Sequence, residues 1–194
     1  KAQETAFSGT SLLPDRQNVH IPDNLSGNEA ALLRKKIQKT LKNNPHNLTE
    51  FARLFHLEKK HPKSEQFHKT AGTLLRQLAA KGSYRDLYIY FQEYKEFSGA
   101  PRLHSSVLLV LAQVHIRSGK TDQAARFLLL LMKQRPQYPG LPSCLFTLAC
   151  AYREQGWEER AEKCFQLICK QYPQTIISQQ AEEMLTPPYS ITVR

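Results

Sequence analysis

Apolar residues along this chain recur at steps of three and four, in pairs of stripes separated by short polar breaks. The clearest pair is Leu145, Leu148, Ala149 and Tyr152, followed by Ala161, Cys164, Phe165 and Ile168. That spacing puts each set on one face of an α-helix. Read along the whole chain, it predicts helices over 30–42, 48–60, 65–80, 84–98, 103–118, 121–135, 141–155, 158–172 and 177–185. The breaks hold residues that end helices. Gly156 takes a left-handed C-cap conformation at little cost, and Pro173 cannot continue a helix because its nitrogen has no proton to donate.

The stripes also repeat as pairs. Gly82, Gly119 and Gly156 stand 37 residues apart, as do Leu74, Leu111 and Leu148, and Phe91, Leu128 and Phe165. The stretch "HIRSGKTDQAARFLLLLMKQRP" from His115 is answered by "YREQGWEERAEKCFQLICKQYP" from Tyr152. A weaker copy upstream holds Ile37, Leu41, Leu54 and Leu57; Pro62, Pro136 and Pro173 share one phase, with Gly99 in the second copy. A period in the range of about 20–50 residues marks a solenoid, whose units bury their apolar faces only by stacking. The expectation is an all-α chain of about four helix pairs, 30–65, 66–102, 103–139 and 140–176. A capping helix at 177–185 turns Ala181, Met184 and Leu185 inward and Gln180, Glu182 and Glu183 outward. Residues 1–29, with Gly9, Pro14, Pro22 and Gly27, read as an extended arm or linker, and 186–194 as a tail.

Leu148-Ala149, Tyr152, Gly156, Ala161, Phe165 and Pro173 together resemble the signature of a tetratricopeptide repeat. The third pair matches with Leu111-Ala112, Gly119, Ala124, Leu128 and Pro136, with His115 at the aromatic position. The second keeps Leu74, Gly82 and Phe91 but has Leu87 for the alanine and Gly99 for the proline. The resemblance covers residues 30–176 and is strong over 103–173. A step three longer than the family's usual length of about 34 places the extra residues in linkers such as Tyr138-Pro139-Gly140.

The resemblance implies a right-handed superhelical solenoid whose first helix in each pair lines a concave groove. The candidate partner-binding residues it assigns are Lys35, Lys39, Lys42, Lys69, Arg76, Gln113, Arg117, Phe146 and Arg153. Leu32, Ala79 and Ile116 fall in the same phase, and the basic members cluster in the first two pairs. Chaperone-binding members of the family grip a C-terminal carboxylate with lysine and asparagine. Lys35 stands at the first such position, but Lys39, Thr73, Ser106 and Val110 occupy the others, so a dedicated clamp of that kind is not expected.

Charge sharpens this picture. Lys and Arg number 27 against 17 Asp and Glu, a formal net charge of +10. Such a balance favours acidic partners. The leading expectation is a protein-interaction scaffold that binds an acidic peptide or partner helix in a basic groove. The rival readings are an RNA-binding helical repeat and the cytosolic interaction domain of a membrane protein. The first is disfavoured by the lack of stacking aromatics at groove positions other than Phe146. Leu129, in "RFLLLLMK", falls on the outer side of its helix, either buried by neighbours or part of a contact patch. The arm is expected to lie along the solenoid, with Leu12, Leu13, Val19 and Ile21 as apolar anchors, either packed on the convex side or seated in the groove as an intramolecular competitor.

Catalysis is not expected. Nucleophile elbows, phosphate loops and zinc-binding HExxH are all missing, and the seven histidines are scattered. Cys144, Cys150, Cys164 and Cys169 fit no zinc spacing and read as buried thiols in a reducing compartment. No cofactor or metal is expected. The longest apolar runs fall short of the ~20 residues of a membrane span. A cytoplasmic location follows, either free or as the soluble part of a membrane-attached protein. The lack of an initial methionine is read as processing or excision.

Overall fold

The computed structural model describes residues 11–13, 19, 21–22, 24–98 and 103–186. The tail beyond Thr186, most of the arm before residue 24, and Gly99 lie outside the described residues. The described residues form nine α-helices and no strand. They are α1 (Gly27–Asn43), α2 (Leu48–Glu58), α3 (Glu65–Ala80), α4 (Tyr84–Ser98), α5 (Ser105–Arg117), α6 (Thr121–Gln134), α7 (Leu141–Glu154), α8 (Glu158–Gln171) and α9 (Ile176–Leu185). The chain divides into two compact units, one reaching Val107 and the other running on from Leu108.

One turn is written three times. Gly82, Gly119 and Gly156 have φ of 71°, 72° and 76°, where a side chain would be strained. After each glycine the next amide donates back five residues: Ser83 to Leu78, Lys120 to His115, and Trp157 to Tyr152, at 3.0, 2.9 and 2.9 Å. This pattern satisfies the carbonyls orphaned at a helix end and folds the second helix of the pair back on the first. The repeated glycines of the sequence are therefore the same backbone event at each step.

In the unit reaching Val107, α1 packs on α2, α2 on α3 and α3 on α4. Its core is aromatic. Phe55 meets Phe67 at 5.2 Å and Tyr90 at 5.3 Å between ring centroids, and Phe67 meets Tyr94 edge-on at 5.6 Å. Leu75 and Leu87 are fully buried where the later pairs have alanine, so this pair carries larger side chains at its crossing. The helix expected from residue 30 begins at Gly27. Ser26 caps it, accepting from the Glu29 amide while the Glu29 carboxylate accepts from the Ser26 amide at 2.9 Å. Reciprocal capping satisfies two amide donors that would otherwise be unpaired, and offsets the cost of glycine in the first turn.

In the other unit, α7 packs on both α6 and α8, and α9 packs on α8 and α7. Ala112, Ala124, Ala149 and Ala161 are wholly buried, as close helix contact requires. His115 takes the aromatic position of the repeat and stays inside. Its Nδ1 bonds the Leu111 carbonyl at 2.7 Å, and its ring lies 5.1 Å from that of Phe127. In the linker, Gly140 (φ 82°) precedes α7; a Cβ there would sit 3.2 Å from the Leu109 side chain. In α9, Ala181 is buried while Gln180, Glu182 and Glu183 are exposed, as a terminal helix of a stacked array needs.

Candidate functional site

The exposed side of α1 is lysine. Its inward stripe is Leu33, Arg34, Ile37 and Leu41, and of these Ile37 is buried to 1% exposure. That leaves Lys35, Lys39 and Lys42 on the opposite side, with Lys36 beside them and Leu32 at 67% exposure. Lys36 was absent from the sequence reading because it stands off the Lys35–Lys39–Lys42 row. None of the four lysines forms an ion pair among the described residues.

The basic residues of α3 differ. Lys69 is exposed but paired with Glu65 at 2.8 Å, and this bond holds the Glu65 carboxyl below its ordinary range. Arg76 is exposed. Next to it, Gln77 donates to the Pro45 carbonyl at 2.8 Å, and Lys81 donates to the His46 carbonyl at 3.2 Å. These bonds tie the end of α3 to the turn after α1, so the last turns of the two helices share one edge. Ala79, assigned to the same face by phase, is buried instead, as is Ile116 on α5. Helix phase gives direction, and the neighbours that cover a position are not in it.

In the unit that runs on from Leu108, Gln113 and Arg117 are exposed on α5. Phe146 is half-buried, edge-on to Phe165 at 5.4 Å. Arg153 lies over the Phe165 ring at 5.1 Å, donates to the Met184 carbonyl at 2.9 Å and pairs with Glu158 at 3.4 Å. The contacts of Arg153 are to the capping helix and to the core. A cation on the last carbonyls of α9 also complements the negative end of its dipole. Arg160 is likewise engaged, 4.5 Å from the Trp157 ring centroid and 2.7 Å from the Asp122 carboxylate.

Two buried polar clusters escaped the sequence reading. Asp86, in the first turn of α4, accepts from the Ser83 hydroxyl, from the Ser11 hydroxyl at 2.8 Å and from the Leu12 amide at 3.0 Å. The arm therefore touches this unit through residues 11 and 12. Leu13, Val19 and Ile21 are buried, and Ile21 joins Ile37, Leu54 and Leu57 in one core cluster. Leu12, an expected anchor, is half-exposed. The described part of the arm leaves Lys35, Lys39, Lys42, Lys69 and Arg76 exposed.

The second cluster is Glu58, 1% exposed and 3.7 Å from Arg34 Nε. Neither carboxylate oxygen has a hydrogen-bond partner of good geometry. Burial pushes its carboxyl above the ordinary range, and Thr70 and Arg34 nearby offset this only in part. A carboxyl raised in the folded state favours folding fully at a pH below its unfolded value. That contribution is lost as pH climbs through the raised value. Glu58→Gln is expected to remove the loss, raising the urea midpoint at pH ~7 while changing it little near pH ~4. A variant less stable than the parent at neutral pH would show that the pair with Arg34 outweighs the desolvation.

Cys144, Cys150 and Cys164 are poor nucleophiles: burial raises Cys150 and Cys164 and pushes Cys144 up to about 12. Among the described residues no group of three or more His, Cys, Asp or Glu is placed to hold a metal ion. Nor is any helix among them long and apolar enough to cross a membrane.

Residues 143–175, which span α7, α8 and the turn after them, match the family model for the tetratricopeptide repeat. No curated protein matches the chain.

Proposed function

We propose that this chain, an all-helical array whose residues 143–175 match the tetratricopeptide repeat, is a helical-repeat protein of that kind and binds an acidic segment of a partner protein on the lysine face of α1. Repeats of this kind serve as protein-interaction scaffolds. The observation that carries the finer reading is the row Lys35, Lys36, Lys39 and Lys42, exposed together with no ion pair among the described residues. Four ammonium groups held on one rigid helix repel one another. An acidic ligand relieves that repulsion and is drawn in faster at low salt. Arg76 extends the basic edge, and Lys69 joins it by giving up Glu65. Gln113, Arg117, Phe146 and Arg153 remain candidate contacts on their own unit, with Arg153 already committed to α9.

Two features support a protein ligand over RNA. Single-stranded RNA is read by stacking bases on aromatic rings. Yet α1 has no aromatic residue, and the one phenylalanine of α3, Phe67, is buried. The partner reading needs no cofactor and assigns no catalytic role. Four free cysteines suit a reducing, cytoplasmic setting, free or membrane-attached.

The test is binding of a glutamate-rich peptide and of a single-stranded RNA at two salt concentrations. Lys35→Glu with Lys39→Glu is expected to weaken the peptide about tenfold or more, chiefly through slower association. Tight RNA binding with a steep log–log salt slope, and no peptide binding, would assign the face to nucleic acid instead.

A further inference from the structure

We propose that α9 of one copy of this chain docks on α1 of a second copy, so that the protein self-associates head to tail. The inference rests on the reading of α1 as a receptor for acidic segments, and it names the segment.

The first and the last described helices carry complementary faces. The outer side of α1 has only basic charge beyond its capping residue Glu29. The only charged residues of α9 are Glu182 and Glu183, both exposed and neither in an ion pair among the described residues. Each face also bears one apolar residue in water. Leu32 is 67% exposed and Ile176 is 73% exposed, the two highest values among the exposed large hydrophobics of the described residues. A capping helix should turn a polar side to solvent, so the exposure of Ile176 has no explanation among the described residues.

The two faces are also in register. Leu32 precedes Lys39 by seven residues, and Ile176 precedes Glu183 by seven. Seven residues are close to two helical turns, so in each helix the apolar and the charged residue lie on one stripe. Laid parallel, Leu32 meets Ile176 while Lys39 meets Glu183; Lys35 and Lys36 then face Gln179 and Gln180. Antiparallel docking would put each leucine or isoleucine against a charge. The contact is between unlike patches: the face on one copy differs from the face it meets on the other. A foreign acidic helix could use the α1 face alone. The matched stripe on the same chain is what singles out a second copy.

The test is sedimentation velocity of the full chain across a concentration series at low and high salt. The expected result is a mass average that rises with concentration and falls back when salt is added. Lys35→Glu with Lys39→Glu, and separately Glu182→Lys with Glu183→Lys, should each stay monomeric, with association weakened about tenfold or more. Like charges then face each other in both variants. An equimolar mixture of the two should associate again, because each variant's α1 now complements the other's α9. Damage to folding cannot produce that recovery, and unchanged helicity by circular dichroism checks it independently. Monomeric parent protein at every concentration overturns the inference, as does association untouched by either variant or a mixture that fails to recover. A monomeric parent that still binds the glutamate-rich peptide through Lys35 and Lys39 overturns the self-association alone. Loss of both overturns the acidic-ligand reading as well.

Discussion

Phe165→Ala should lower the unfolding free energy by about 3–5 kcal/mol, the range for emptying a large aromatic site in a packed core. Phe165 is wholly buried and stands where the repeat puts Phe91 and Leu128, both also buried. Its loss does more than leave a cavity. Phe146 packs edge-on against the ring, and Arg153 lies over its face while donating to the Met184 carbonyl. Without the ring, Arg153 loses the surface that aims it, and α9 loses the donor at its last turn. The expected signature is therefore twofold. The denaturant midpoint falls, and amide exchange in α9, which receives the Arg153 hydrogen bond, speeds up more than in α6. Phe165→Leu should recover much of the stability, since Leu128 fills the same phase one repeat earlier. A loss below about 1.5 kcal/mol for the alanine variant would mean that the site collapses and that the ring does not organise the end of the array.

The repeat was legible in the sequence because its marks are local. A glycine held at positive φ, a small residue at a helix crossing and an apolar stripe each declare themselves within a few positions. Three successive glycines do so at one step. The start of α1 was misjudged for a local reason too: Gly27 reads as a breaker, while Ser26 and Glu29, three residues apart, form the capping pair that outweighs it. The lysine row was legible for the same reason as the stripes, being a helical face. What stayed hidden depends on partners distant in sequence. Arg153 was placed by phase on a ligand face, yet its hydrogen-bond acceptor is 31 residues away on α9. Ala79 and Ile116 follow the phase of exposed residues but are covered by neighbours. Glu58 has no sequence mark at all. Its burial comes from three helices meeting, with Arg34 on α1 and Thr70 on α3 acting on it from either side.

The most distant of these contacts leads to the second large effect. Asp86→Ala should cost at least about 2 kcal/mol, because its carboxylate accepts three hydrogen bonds at a site only 6% exposed. Bonds to a charged acceptor are worth about 1.5–3 kcal/mol where water cannot replace them. Removing the carboxylate leaves the Ser83 hydroxyl without its local partner, frees the Leu12 amide, and leaves the Ser11 hydroxyl only its bond to the Leu13 carbonyl. Ser11 is 75 residues from Asp86, so this contact closes a long loop and fixes the arm to the first turn of α4. The burial of Leu13, Val19 and Ile21 depends on that attachment, and Ile21 shares a cluster with Ile37 on α1. The described part of the arm is thus a structural part of this unit. Its loss should weaken the packing that presents the lysine face as well as expose new surface. Ser11→Ala alone should cost less, about 1 kcal/mol, since water reaches its partly buried hydroxyl. The two changes should be strongly non-additive, with Ser11→Ala adding little once Asp86 is gone, as expected for groups that share one bond. Urea unfolding of the two single variants and the double variant measures this directly. Additive losses would show that the Ser11 hydroxyl and the Asp86 carboxylate act independently, leaving the Leu12 amide and the buried Leu13, Val19 and Ile21 to hold this part of the arm.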